Sequence, residues 1–275
     1  MIVSKITRVF IKTKIPSREK HSNKTRGGKV LIVGGSEGLL GAGILSALSA
    51  TRVGAGYTYV MMNWRYNQLL RHPDLLFLAP NSKKLNPTSF DALVFGPGLG
   101  QSPTAKKWLT YLIKQKIPLV VLDADGLTLL SGRPPVRLPA HWILTPHTGE
   151  LARLLAVRST AIQKDPVKYL LMAQKKWGCH VLLKGPTTYI TDGKKIFSSA
   201  VGTPALAKAG TGDVLAGIIG GLLAQKLSPL DAAIVGNYIH GLASKQWLDQ
   251  GNDHLSLRPI DLIEQLPKTL KNLRS

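Results

Sequence analysis

Gly202-Thr-Pro-Ala-Leu-Ala-Lys-Ala-Gly-Thr-Gly-Asp-Val-Leu-Ala-Gly217 is a small-residue loop that runs through Gly-Thr-Gly-Asp into an apolar stretch patterned as a helix to about Gln225. A helix that starts this way leaves its first backbone N–H groups without intrahelical acceptors, at the positive end of its macrodipole. The result is a hole for an anion, phosphate above all. Gly210 and Gly212 carry no Cβ, so a ligand can come close to the backbone. Asp213 falls in the first turn, a carboxylate beside a phosphate it would otherwise repel. A carboxylate there can take a proton from a hydroxyl while the helix end stabilises a phosphoryl group in transit. The plain alternative is that Asp213 only caps the helix. The Gly-Thr-Gly before it favours the chemical role.

Outward from this loop, short apolar runs alternate with helical patterns, the signature of a parallel sheet with crossover helices. Val30-Leu-Ile-Val33 is a strand stopped by Gly34-Gly35, residues 41–53 have helical periodicity, and Tyr57-Thr-Tyr-Val-Met-Met62 is the next strand. Asp91-Ala-Leu-Val-Phe95 runs into Gly96-Pro-Gly-Leu-Gly100, Pro118-Leu-Val-Val-Leu122 into Asp123-Ala-Asp-Gly126, and Trp142-Ile-Leu-Thr145 into Pro146-His-Thr-Gly-Glu150. Residues 178–183 form a buried strand that ends at Lys184-Gly185. Thr188-Tyr-Ile-Thr191 and Lys195-Ile-Phe-Ser198 pair as a hairpin through Asp192-Gly193. Residues 229–249 are a further helix. With no repeat, low-complexity linker or break, residues 1–275 are expected to form one domain, preceded by a basic arm over residues 1–25. Polar or glycine-rich residues recur at the strand C-termini, where open α/β sheets bind ligands. Residues 34–43, 96–100, 123–126, 146–150 and 184–188 would line one edge of the sheet, with the 202–213 loop closing over it.

Composition sets the outer limits. At 275 residues, 44% hydrophobic and with 27 glycines, the chain can bury a sizeable α/β core. Its single cysteine, Cys179, permits no intrachain disulfide and is expected to be a small core residue; a reducing, cytoplasmic setting fits. Lys and Arg number 36 against 15 Asp and Glu, a net charge of +21 that attracts polyanions without specificity. The basic residues are spread along the chain, and no zinc spacing, RNP-like strand or basic heptad accompanies them, so no specific nucleic-acid partner is expected. No run of eighteen apolar residues occurs, so no transmembrane helix and no membrane partner is expected. The opening MIVSKITRVFIKTKIP lacks a signal-peptide core. It has the basic, acid-free character of a transit segment and equally the alternation of an edge strand or docking arm; the structural reading is favoured. No Gly-x-x-x-x-Gly-Lys-[Ser/Thr] is present, and Gly-x-Gly-x-x-Gly fails at Gly34, Gly41, Gly96 and Gly210, which excludes a Walker loop and leaves a Rossmann site unsupported.

These segments, in this order, resemble the ribokinase-like superfamily, and within it the ADP/ATP-dependent NAD(P)H-hydrate dehydratases. The resemblance runs from about Asn23 to Leu227 and rests on residues 30–56, Gly96-Pro-Gly-Leu-Gly100, Leu122-Asp-Ala-Asp-Gly126, Leu144-Thr-Pro-His-Thr-Gly-Glu150, Leu183-Lys-Gly185 and Gly210-Thr-Gly-Asp-Val-Leu-Ala-Gly217. It implies a three-layer α/β/α sandwich with a mostly parallel central sheet. It also implies a reaction: hydrated NADH or NADPH, S epimer, is phosphorylated on its ring hydroxyl from ADP or ATP and loses phosphate, which restores the reduced cofactor in a net hydro-lyase repair. By the same resemblance Asp213 is the base, and Gly210, Thr211 and Gly212 stabilise the transferred group. Ala42, Gly100, His147 and Asp213 contact the hydrated cofactor, and Lys184, Gly185, Pro186, Thr187, Thr188 and Gly212 contact the adenine nucleotide. Mg²⁺ would bridge phosphates, with Glu150 or Asp123 orienting its water shell. A homo-oligomer, a tetramer by resemblance, and a separate epimerase as functional partner are expected too.

Plainer roles stand beside these: a backbone-satisfied His147, a turn closed by Asp123 and Asp125, a solvated Lys184, and Glu150 as a first-turn complement to a helix dipole. The chain also departs from the family pattern. It has Asn23-Lys24-Thr25 where His-Lys-Gly is usual, Thr148 where a proline is usual, Lys208-Ala209 before Gly-Thr-Gly-Asp, and Pro186-Thr-Thr188 in place of a glycine-rich run. The rival readings are a small-molecule kinase of the same fold, acting on a vitamin-precursor alcohol or sugar, and a non-enzymatic nucleotide or nucleic-acid binder. An intact Asp213 argues against the binder.

Overall fold

The structure is a computed structural model that describes residues 2–17, 24–62, 72–79, 86–115, 117 and 119–275. Asn23 and Pro118, where the sequence reading began the family match and one strand, lie outside the described residues. In chain order the strands are β1 (Val3–Lys5), β2 (Lys29–Val33), β3 (Tyr57–Met61), β4 (Leu76–Leu78), β5 (Ala92–Phe95), β6 (Val120–Leu122), β7 (Ile143–Leu144), β8 (His180–Leu183), β9 (Thr188–Thr191) and β10 (Ile196–Ser199). The helices are α1 (Arg8–Lys12), α2 (Leu40–Arg52), α3 (Pro103–Lys114), α4 (Asp125–Ser131), α5 (Thr148–Leu155), α6 (Ser159–Lys164), α7 (Pro166–Trp177), α8 (Thr211–Ala224), α9 (Pro229–Leu248) and α10 (Pro259–Arg274).

The strands form one sheet in the order β1-β10-β9-β8-β7-β6-β5-β2-β3-β4. From β4 through β8 every pairing is parallel; β9 alone runs against its neighbours, as the hairpin reading required. Side chains alternate between two cores. Val30, Ile32, Val94 and Val121 pack beneath α2, α8, α9 and α10. Leu31, Val33, Leu93, Phe95, Val120 and Leu122 pack beneath α3, α4, α5 and α7. Burial on both faces is why these strands read as unbroken apolar runs. The expected three-layer, mostly parallel α/β/α architecture is the one observed.

The chain order reverses at β2 and β5, a topological switch where open α/β sheets hold ligands. The loops leaving those strands are laced together there: Gly35 N donates to Pro97 O at 2.9 Å and Ser36 N to Gly98 O at 2.6 Å. The N-terminal arm is structural, as favoured, but strand for only three residues. β1 pairs in parallel with β10, and Thr7 then caps α1 by accepting from Phe10 N. The arm is tied down by Arg8, which donates to Asn272 O, by Arg274, which donates to Pro16 O, and by a Lys14–Asp231 ion pair.

α8 rides on β2, β5 and β6 and against α2. Its face toward α2 is glycine because the backbones nearly touch: a Cβ on Gly217 would lie 1.9 Å from Ser46 O, and one on Gly221 would lie 2.8 Å from Ala50 O. Backbone cannot yield as a side chain does. Gly217→Ala is therefore expected to cost about 3 kcal/mol, roughly 10 °C in Tm. Thermal unfolding checks this; a change of a degree or less would refute the close contact.

Candidate active site

α8 opens at Gly210, whose φ of +94° takes the chain through the left-handed region that glycine tolerates. The Thr211 N–H faces Lys208 O at 3.3 Å, and its hydroxyl lies 2.7 Å from Leu206 O and 2.8 Å from Lys208 O. Thr211 thus fastens the loop to the helix start, and it lines the cavity beside its two glycines. The N–H groups of Gly210, Gly212 and Asp213 have no acceptor among the described residues. These are the anion hole. Asp213 is not the cap, because Gly210 holds that position and no side chain caps the helix. The Asp213 carboxylate accepts no hydrogen bond among the described residues and faces the cavity.

β6, β7 and β8 deliver Asp123, His147 and Lys184 to this spot. Asp123, 1% exposed, accepts from Thr145 Oγ1 and from Lys184 Nζ, both at 2.8 Å. The same Nζ lies 3.7 Å from Glu150 Oε2. A Cβ on Gly212 would sit 3.5 Å from that Nζ, so the ammonium stands at the mouth of the anion hole. Burial would lower the Lys184 pKa, but Asp123 and Glu150 outweigh it and hold the side chain above the usual lysine value. Lys184 is a partly buried, carboxylate-held cation, not a freely solvated charge. The Asp213 pKa is raised as well, here against ionisation: burial, joined by repulsion from Asp123 and relieved only in part by Lys184, pushes it up to about 7. A carboxylate poised near neutrality is suited to removing a proton from a hydroxyl.

His147 caps α5. Its Nδ1 accepts from Gly149 N at 3.0 Å and Glu150 N at 3.4 Å, while Glu150 Oε2 accepts from His147 N at 2.8 Å. Nδ1 therefore carries no proton, and Nε2 lies 3.6 Å from Glu150 Oε2. One residue thus both caps α5 and lines the cavity. Asp125 starts α4 and accepts from Gly100 N at 2.9 Å, and Ala42 packs at Gly98, where an added Cβ would meet its Cβ at 2.8 Å. Ala42 and Gly100 lie at the β2/β5 switch, outside the wall of the main cavity; His147 and Asp213 lie in it. Of the expected nucleotide contacts, Lys184, Gly185, Pro186, Thr188 and Gly212 line the cavity and Thr187 does not. Lys208 lines the cavity and donates its Nζ to Leu255 O at 2.6 Å.

The cavity has a volume of about 850 Å³, and the 202–213 loop closes one side. Two of its residues were missed in the sequence because both sit on α9, a helix largely buried along its length. His240, buried, places Nε2 2.9 Å from Thr211 O and donates to it; burial drives its pKa down to about 4, so it is neutral and holds the α8 start in place. Asn237 lies one turn earlier. Among the described residues no group of three or more His, Cys, Asp and Glu could hold a metal. Asp123 and Glu150 are instead shared around Lys184, so they do not form a metal site made by the protein alone.

A ten-stranded, mostly parallel sheet whose α8 start presents an anion hole and a carboxylate defines a ribokinase-like fold. The structure of a ribokinase-like superfamily protein from Enterococcus faecalis matches with a TM-score of 0.88 at 27% identity, over 99% of this chain and 97% of that one. A family model for NAD(P)H-hydrate dehydratase matches residues 30–268, and the chain belongs to that family. The ADP/ATP-dependent NAD(P)H-hydrate dehydratase of Bacillus subtilis, crystallised with ATP and Mg²⁺, is 28% identical with a TM-score of 0.88, each chain covered over 99%. In sequence, the bifunctional NAD(P)H-hydrate repair enzyme Nnr of Coxiella burnetii is 36% identical over 258 residues, 92% of this chain and 52% of that one. The chain thus spans about half the length of that relative. The ADP-dependent (S)-NAD(P)H-hydrate dehydratase of Cenarchaeum symbiosum is 32% identical over 94% of this chain and 93% of its own.

Proposed function

We propose that the chain catalyses nucleotide-dependent dehydration of hydrated NADH or NADPH, S epimer, to the reduced cofactor. The observation that carries this reading is Asp213, free of protein hydrogen bonds and with its pKa near 7, beside the unpaired N–H groups of Gly210 and Gly212. Asp213 takes the proton of the ring hydroxyl as the hydroxyl oxygen attacks the terminal phosphorus of the nucleotide, and the bridging P–O bond breaks to release AMP from ADP, or ADP from ATP. The N–H groups of Gly210, Gly212 and Asp213, with the Lys184 ammonium, neutralise the charge on the phosphoryl oxygens. Phosphate then departs with the C–O bonding pair, and loss of a ring proton restores the double bond. His147 and the Ala42–Gly100 edge hold the hydrated nicotinamide end; residues 184–188 hold the nucleotide. ADP is the donor favoured by the name of the Cenarchaeum relative, and ATP the alternative by the Bacillus structure. Glu150 Oε1 and Asp123 Oδ2, each without a partner among the described residues, suit waters in the shell of a nucleotide-borne Mg²⁺, whose chemistry is to neutralise phosphate charge. An epimerase supplies the S form from its epimer.

The test follows reduced-nicotinamide absorbance while the purified chain acts on hydrated NADH with ADP, ATP or neither. A rise that requires nucleotide is expected, together with release of inorganic phosphate. A flat trace with both nucleotides, from folded protein, refutes the dehydratase and leaves a kinase that releases a stable phosphoester.

A further inference from the structure

The two helical layers differ in charge. From Pro103 to Trp177, the span of α3 to α7, Lys and Arg number twelve against four Asp and Glu. From Thr211 to Arg274, the span of α8 to α10, the count is six against six. The arm over residues 2–17, which packs on α9 and α10, adds four cations there, one of them paired with Asp231. The four acids of the first layer are all engaged. Asp123 and Glu150 flank Lys184 at the cavity, Asp125 accepts from Gly100 N, and Asp165 caps α7 by accepting from Lys168 N. The cations of that layer bond to neutral acceptors instead. Arg133 donates to Thr110 Oγ1, Arg153 to Thr128 Oγ1, and Lys176 to Leu154 O. These bonds stitch α3, α4, α5 and α7 side by side and leave each positive charge uncompensated. Among the described residues no Lys or Arg of this layer pairs with a carboxylate side chain. A face of one sign on a folded surface attracts polyanions.

We propose that the outer face of the α3–α7 layer docks nucleic acid, held through its phosphate backbone without regard to sequence. Neighbouring helix axes lie about 10 Å apart, so α3, α4, α5 and α7 present a face roughly 30 Å across, the length of about nine nucleotides of one strand. On α3, Tyr111 is 41% exposed and meets Trp108 edge to face, with ring centroids 5.8 Å apart. It stands one turn from exposed Lys107 on one side and from exposed Lys114 on the other. A ring between two ammonium groups gives a base a stacking surface while phosphates meet the charges. An anionic lipid surface fits less well. Among the described residues Tyr111 and Met172 are the only exposed large hydrophobic side chains of this layer, and they stand on different helices, so the face has no apolar strip to insert. Exposed Lys168 and Lys175 extend the charge along α7, and none of these four lysines lines the cavity. Docking and turnover are therefore separable.

The test titrates the full chain, over a range of salt, against a fluorescent single-stranded RNA of about twenty mixed-sequence nucleotides. Vesicles of phosphatidylcholine with about one-third phosphatidylglycerol are titrated in parallel. Two variants lose the same charge from opposite layers. One combines Lys107→Gln, Lys114→Gln, Lys168→Gln and Lys175→Gln; the other combines Lys12→Gln, Lys245→Gln, Lys268→Gln and Lys271→Gln. The wild type is expected to bind the RNA with a Kd of about 10 μM at physiological salt, and more weakly as salt rises. The first variant is expected to lose at least about tenfold, with the slope of log affinity against log salt reduced by about 3, and the second to stay within about threefold. Circular dichroism checks that each is folded; should the first not fold, Lys114→Gln and Lys175→Gln singly are each expected to lose about twofold and to lower the slope by about 1. Equal losses in the two variants would show that net charge acts alone and overturn the face. A wild type that binds no RNA, or that binds the vesicles and not the RNA, overturns the partner. Nucleotide-dependent dehydration, measured beside these titrations, is expected to be unchanged in the first variant, and a loss of turnover there overturns the separation of docking from the cavity.

Discussion

Asp213→Asn is expected to lower turnover by at least about a thousandfold and to leave ADP affinity within about twofold. The amide keeps the volume of the carboxylate and disturbs none of the protein's hydrogen bonds, since Asp213 accepts none among the described residues. What it removes is the proton acceptor. Loss of ADP binding in parallel with turnover would refute the role of base. The wild-type pH profile carries the same signature: with a pKa near 7, the rate rises as pH increases from 6 to 8, because only ionised Asp213 accepts a proton. Stability has the opposite slope. The folded pKa of about 7 lies above the ordinary carboxylate value of 3.8, so the folded state holds a proton that the unfolded chain has released, and stability falls as pH rises through that window. Asp213→Asn escapes this penalty. Its Tm is expected to exceed that of the wild type by a few degrees at pH 8 and to match it near pH 4. Coincident Tm curves at both pH values would show that Asp213 is not held near neutrality.

Lys184→Met is expected to combine the second-largest loss of activity with a loss of stability. The ammonium neutralises Asp123 and Glu150, and its charge also acts to lower the pKa of Asp213. Without it Asp123, 1% exposed, keeps only the Thr145 hydroxyl, and breaking a buried pair in this way costs about 3 kcal/mol. The anion hole also loses its cation, so the rate at pH 7 should drop by about a hundredfold or more, with weaker ADP binding. The midpoint of the pH–rate profile should move upward, because Asp213 is left among like charges. That shift separates an electrostatic role from a merely structural one. A variant with lower Tm but an unmoved midpoint would assign Lys184 to structure alone.

The parallel strands were legible because burial on both faces makes them continuous apolar runs, and the anion hole because Gly-Thr-Gly-Asp has few other uses. Polarity hid other elements. α3 and α7 mix lysines with their core residues, β4 is three residues long, and α10 carries Pro267 within it, a break signal that the fold tolerates. The site was legible residue by residue but not as a network. Lys184 and Asp123 stand 61 positions apart, and only the sheet order makes them partners. His147 looked like a choice between cap and cavity residue, and the structure gives it both places. Thr211 sat inside the motif and still proved to be a clasp. Asn237 and His240 were invisible because a helix buried all round has no amphipathic contrast against which a polar residue stands out.

The glycine contact between α8 and α2 also bears on the proposed reaction. Gly217 follows Asp213 by one helical turn, and Ser46 follows Ala42 by one turn, so the place where the backbones meet lies about 5 Å behind the two tips. One tip carries the proton acceptor and the other the edge proposed for the hydrated ring. The helices behave as jaws riveted just behind their ends: the gap between base and hydroxyl is a property of the rivet, and the ligand need not set it. Damage there should register as poorly timed chemistry, a lower kcat at nearly constant KM, in residues that never touch a substrate.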